Sequence, residues 1–157
     1  MGAEESTGFE PATGDGPPAA EPAAARAASV RTAFEGLLQI RRLTGAGRPA
    51  PEAVPALWEL NRPVRAVALA LESSGSTPSA VDPSGRRVSA GYRVSDGESA
   101  GSVRVEWIGP PGSGAAHGEE QALADCASAL RDLGWTVLLY RGPRRRRYLE
   151  VEPPSGL

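Results

Sequence analysis

The sequence predicts an α+β domain, and three observations carry this. Apolar residues in the first half recur at helical spacing. Beyond residue 85 their period shortens from about 3.6 to 2. One strongly amphipathic helical stretch then separates two pairs of alternating segments. Two hairpins divided by a helix give a four-stranded antiparallel sheet with the helix packed on one face. The expected order is therefore N-terminal helices followed by ββαββ.

Residues 1–28 contain almost no large apolar side chain apart from Phe9, and five acids (Glu4, Glu5, Glu10, Asp15, Glu21) against Arg26. Such a stretch buries too little surface to offset its ordering entropy, so it is expected to be a disordered acidic tail. A single domain is expected over 29–153, with a helical part at 29–75, the ββαββ part at 86–152 and a disordered end at 154–157.

The helical part divides into three. Over 29–44, Ser29 can cap a helix on which Val30, Phe34, Leu37 and Leu38 share a face, and Gly45 and Gly47 end it. The stretch 51–60 reads as a short helix with prolines in its first turn and Val54, Leu57 and Trp58 in phase. Asn61 then caps a helix at 62–74 carrying Val64, Val67, Ala68 and Leu71, which Gly75 ends.

A loop at 76–85 precedes the change of period. In "RVSAGYRVS", Val88, Ala90, Tyr92 and Val94 alternate with polar or small residues, and in "SVRVEWI" Val103, Val105 and Trp107 do so. These are two strands of a hairpin joined by "DGESAG". The stretch "EEQALADCASALRDLG" is the clearest helix, with Leu123, Cys126, Ala127, Leu130 and Leu133 in a stripe. Glu119 and Glu120 sit at its expected N-terminus, where they complement the helix dipole. "WTVLLYR" and "RYLEV" form the last hairpin.

Composition excludes several function classes. The formal charge is −2, so the chain is not a nucleic-acid binder by bulk electrostatics. All 17 basic residues are arginine, which fits a GC-rich bacterial genome. The single cysteine, Cys126, allows no intrachain disulfide and fits a reducing compartment. With no basic start followed by an apolar run, and no apolar stretch of about 20 residues, a cytoplasmic protein is expected.

The run "RGPRRRRY" is the most distinctive feature. If Leu139 faces Leu149 and Val137 faces Val151, the apolar residues match across the hairpin. The loop is then Gly142 to Arg146, with Arg144, Arg145 and Arg146 at its tip. Arg141 and Arg147 form the last cross-strand pair, like charges that repel unless an acid lies between them. Tyr140 and Tyr148 share a strand face. Arginines beside aromatic rings suit single-stranded nucleic acid, whereas a solvated tip in an arginine-biased protein needs no ligand.

Other motifs carry less. "GSGAAHG" lacks the Lys-Ser/Thr of a phosphate loop, and two glutamates follow it. His117 is the only histidine and no G-x-S-x-G accompanies it. Cys126 falls on an apolar helix stripe. The 51–60 and 62–74 helices are joined too tightly for a helix-turn-helix, and the second is alanine-rich. No motif calls for a cofactor or metal. The outer face of the sheet, however, gathers Ile108, Leu138, Tyr140 and Tyr148 beside Arg93, Arg104 and Glu106. A solvated face rarely does so, which implies cover by the N-terminal helices or by another chain.

The sequence thus reads as a small cytoplasmic, non-catalytic protein-binding module whose partner is another protein or a second copy. The alternative is a nucleic-acid-associated regulator using the hairpin 141–148. The candidate binding residues are Tyr140, Arg141, Arg144, Arg145, Arg146, Arg147 and Tyr148.

Overall fold

The computed structural model describes residues 9–156. Its class is α+β, as the change of period predicts. Helix α1 spans Ala23–Thr44, α2 Leu57–Asn61, α3 Pro63–Ser73 and α4 Ala115–Asp132. Strands β1 (Ala80–Val81) and β2 (Arg87–Ser89) form a small antiparallel pair. Strands β3 (Gly91–Asp96), β4 (Val103–Ile108), β5 (Thr136–Arg141) and β6 (Arg147–Glu152) form the main sheet in the order β3-β4-β6-β5, antiparallel throughout.

One face of this sheet is the core. Tyr92, Val94, Val103, Val105, Val137, Leu149 and Val151 all point to it and are buried. Helix α4 lays its stripe of Leu123, Cys126, Ala127 and Leu130 on β4, β5 and β6, and α3 lies beside it over β3 and β4. Every residue of α3 from Ala66 to Leu71 is buried. The alanines explain this: small side chains let α3 be enclosed by the sheet, α4 and α1 together. Helix α1 packs on α3 through a second cluster of Val30, Leu37 and Leu69, with Phe34 and Trp58 alongside.

Several elements depart from the sequence expectation, each for a local reason. The helix expected over 51–60 breaks into a 3-10 turn at Pro51–Ala53 and α2, because Val54 precedes Pro55 and is driven to an extended conformation. Asn61 ends α2 and does not cap α3. The strand expected from residue 86 splits at Ala90: β2 leaves with β1, and Val88 is exposed while Tyr92 and Val94 enter the core. Helix α4 begins at Ala115, so Glu119 lies in its second turn, not at its terminus, and is buried.

The largest correction concerns the N-terminal segment. Residues 1–8 of the expected tail lie outside the described residues. Residues 9–28 are built into the fold. The alanine-rich stretch has the highest helix propensity available, and α1 starts at Ala23 with Ser29 inside it. Ahead of it the chain runs along the edge of β3. The Thr13 carbonyl accepts the Val94 N–H at 2.7 Å, and the Ala12 carbonyl accepts the buried Tyr92 hydroxyl at 2.8 Å. Asp15 pairs with both Arg87 and Arg93 at 2.8 Å. Large apolar residues are scarce there, but main-chain pairing and ion pairs supply the missing contacts.

Candidate binding surface

The helices α1, α3 and α4 all lie on the core side. Among the described residues no helix covers the opposite face of the sheet, and only the loop at 97–102 closes over one end of it, at Glu150. The expectation that the N-terminal helices cover it is therefore corrected: those helices need α3 and α4 as partners and bury their apolar stripes there.

The β5–β6 hairpin stands at the margin of this open face. Its register is the one the apolar residues demand, with Leu139 opposite Leu149, Val137 opposite Val151 and Arg141 opposite Arg147. The Gly142 N–H donates to the Arg146 carbonyl at 2.6 Å and closes the loop around a 3-10 turn at Pro143–Arg145. Arg144 adopts a left-handed backbone with φ 61°, an uncommon conformation for a residue with a Cβ.

The hairpin divides the candidate residues between two sides. Tyr140 and Tyr148 are on the open face, stacked at a centroid distance of 5.6 Å. The Arg104 guanidinium lies over the Tyr148 ring at 4.0 Å. Arg141 and Arg147 are on the helix side. Arg147 is held there by Glu119, whose carboxylate accepts the Arg147 backbone N–H at 3.1 Å and also contacts its guanidinium. Arg146 reaches the same carboxylate at 3.3 Å, and Glu120 meets Arg147 at 3.7 Å. Glu119 thus neutralises the Arg147 member of the like-charged pair. Arg141, Arg144 and Arg146 are exposed, and Arg145 lies in the turn. The tyrosines and the arginines therefore do not form one stacking-and-charge platform.

Beside the tyrosines, Arg93 pairs with Glu106 at 3.1 Å. Glu150, cross-strand from Leu138, is buried; its carboxylate accepts the Glu98 N–H at 2.9 Å and the Ser102 hydroxyl at 3.1 Å. Leu138 and Tyr140 are each 43% exposed, and Leu139, on the other side of the strand, is 54% exposed. Leu139 escapes burial because β5 is the edge strand and its outer half projects past the cover of α4.

The two sheet edges differ. On β3, Tyr92 donates to the Thr77 carbonyl and accepts from the Ser79 N–H, both at 2.9 Å, and Thr13 takes Val94, so the edge is closed by the chain itself. On β5 the alternation set by Gly142 and Arg146 places Tyr140 and Leu138 in the ladder. The N–H and C=O groups of Val137, Leu139 and Arg141 then point outward. The Val137 carbonyl is taken by Arg131 at 2.8 Å, as an outward-pointing group can be.

The remaining reactive side chains stand apart. Burial raises the Cys126 thiol above its ordinary pKa, with the Ser76 hydroxyl 3.6 Å from its sulfur. His117 is exposed on the first turns of α4. Among the described residues no group of three or more His, Cys, Asp and Glu could hold a metal ion, and no helix is long and apolar enough to cross a membrane. Comparison of the chain with protein families, with curated proteins and with solved structures finds no match.

Proposed function

We propose that this chain is a small cytoplasmic, non-catalytic protein-binding module that works through strand β5 and the sheet face beside it. The observation that carries the reading is the exposure of three consecutive large apolar residues, Leu138, Leu139 and Tyr140, on an edge strand where alternate residues, Leu139 among them, point their main-chain groups outward. A free edge of this kind binds extended protein backbone: the main chain supplies affinity and the flanking side chains supply selectivity. The hairpin arginines support a nucleic-acid partner less well, because Glu119 already engages Arg146 and Arg147.

A photo-crosslinking residue at position 140, compared with one at the exposed position 35 on α1, tests the reading in the cells that make the protein. A discrete protein adduct from position 140 alone is expected. Equal adducts from both positions, or none from 140, would overturn it. An adduct that nuclease removes would transfer the function to the arginine hairpin.

A further inference from the structure

We infer that the occupant of this edge is a second copy of the same chain, with β5 paired antiparallel to β5 of its partner about a two-fold axis at Leu139. The inference rests on the reading of β5 as a binding edge and names what binds there.

The β5 edge is self-complementary. Val137, Leu139 and Arg141 present their N–H and C=O groups at the edge. Centred on Leu139, an antiparallel copy sets Leu139 against Leu139, and Val137 against Arg141. Each facing pair can exchange both main-chain hydrogen bonds. The Val137 carbonyl accepts from Arg131 and keeps a second lone pair for the partner's Arg141 N–H. Side chains match as well. On the open face Leu138 meets Tyr140 of the second copy, an apolar pair that lies beside the Tyr140–Tyr148 stack. On the helix side the two Leu139 side chains, exposed in the single chain, cover each other.

Sliding the second strand by two residues also faces outward groups with one another but gives up part of this match. A two-residue slide toward the loop faces Leu139 with Arg141 and Val137 with Pro143, which has no N–H to give. A two-residue slide the other way faces Leu139 with Val137 and Arg141 with the buried Trp135. Only the register centred on Leu139 faces the two exposed Leu139 side chains with each other while keeping each outward group from 137 to 141 opposite a residue that has an N–H.

The fold also treats its two sheet edges differently. The chain closes β3 with residues 13 and 77–79, yet leaves β5 without a proline, bulge or inward charge between Val137 and Tyr140. Soluble proteins protect an edge with such devices unless it is used. Pairing of the two edges joins both four-stranded sheets into one.

Sedimentation velocity across about 1 µM to 1 mM, a range suited to a small interface, reads the association. Amide exchange by NMR reads the place. A concentration-dependent dimer is expected. In it the Leu139 and Arg141 amides, which exchange freely in the single chain, become protected at least 10-fold at high concentration. The ladder amides of Leu138 and Tyr140 are protected at all concentrations. Leu139→Lys brings two like charges together on the axis and should return the chain to a monomer with those two amides fast, its fold checked by circular dichroism. A wild-type chain that stays monomeric throughout overturns the inference. A dimer without protection of the Leu139 and Arg141 amides also overturns it, since it would associate elsewhere. A monomeric wild type that still crosslinks a different protein from position 140 sinks self-pairing and leaves the binding edge standing.

Discussion

Arg41 and Glu59 form a two-pronged ion pair, at 2.7 Å from Nε and 2.6 Å from Nη2, with side chains 0% and 1% exposed. The same guanidinium donates to the carbonyls of Glu52 and Leu133 at 2.7 and 2.6 Å, and the Glu59 carboxylate accepts the Ala56 N–H at 3.0 Å. One buried charge pair therefore ties α1, the turn at 51–53, α2 and the end of α4. Removing either partner alone leaves a buried charge without its counter-ion, at a cost of about 3–5 kcal/mol. Arg41→Leu and Glu59→Gln should each lose that much by urea denaturation. The double variant Arg41→Met with Glu59→Leu should lie between the singles and the wild type. It restores apolar packing but orphans the Glu52 and Leu133 carbonyls. Singles costing under about 1 kcal/mol would mean that water reaches the pair.

Gly134 turns the chain from α4 into β5 with φ +90°, and a Cβ there would sit 1.9 Å from the Ala53 carbonyl oxygen. Gly75 has a similar φ of +95° with open space around it. Gly75→Ala should therefore pay only for the left-handed backbone, about 1 kcal/mol. Gly134→Ala should cost clearly more, because the 51–54 turn must move away and strain the Arg41 bond to Glu52. Thermal midpoints of the two variants make the comparison. Equal shifts would show that the turn at Ala53 yields freely.

The fold class was legible because period is a strong signal. The 3.6-to-2 change after residue 85, and the apolar match of Leu139 with Leu149, require no tertiary knowledge. What the sequence concealed were contacts made by residues with no periodicity. Pairing of Thr13 with Val94 uses backbone alone, which composition does not encode, so the segment ahead of α1 read as solvent-borne. Arg41 and Glu59 sit among surface-like neighbours, and nothing local marks them as buried. The open edge at β5 was half visible. "LLY" breaks the alternation that Val103 and Val105 keep on β4, and a strand apolar on both sides is either central or an exposed edge. Its place at the margin follows only from the order β3-β4-β6-β5.

Asp15 makes the docking of the N-terminal segment sensitive to pH. Burial by itself would raise its carboxyl, but hydrogen bonds from Arg87 and Arg93 outweigh that and hold its pKa below 3.8. A carboxylate with a lowered folded-state pKa contributes stability that is present above its unfolded value. That stability is lost as pH falls through the folded one. The pair is partly exposed, so Asp15→Asn should cost up to about 1 kcal/mol at pH 7. The gap between variant and wild type should hold steady above about pH 5 and close as the solution acidifies below the ordinary carboxylate range. Proteolysis within residues 9–22 should rise in the variant at neutral pH. A gap that widens with acid would contradict the assigned ion pairs.

Glu119 decides how much of the arginine hairpin is free. Its side chain is 4% exposed, and it holds the Arg147 backbone N–H as well as the guanidiniums of Arg146 and Arg147. Glu119→Ala removes the acceptor from a half-buried N–H and uncovers two cations, so two effects should appear together. Stability should fall by about 1–3 kcal/mol, the usual cost of orphaning a buried hydrogen-bonding group. Retention on heparin should shift to higher salt, because Arg146 and Arg147 can then meet anionic groups and release their counter-ions. Loss of one negative charge alone would also raise retention slightly. Glu35→Ala, on α1 and remote from the hairpin, measures that background together with the release of one exposed arginine, Arg42, from its 3.5 Å pair. A larger salt shift for Glu119→Ala than for Glu35→Ala identifies Glu119 as the group that masks the hairpin's charge. Equal shifts would mean that Arg146 and Arg147 are already free in the wild type, and the arginine run would regain its standing as a phosphate-binding surface.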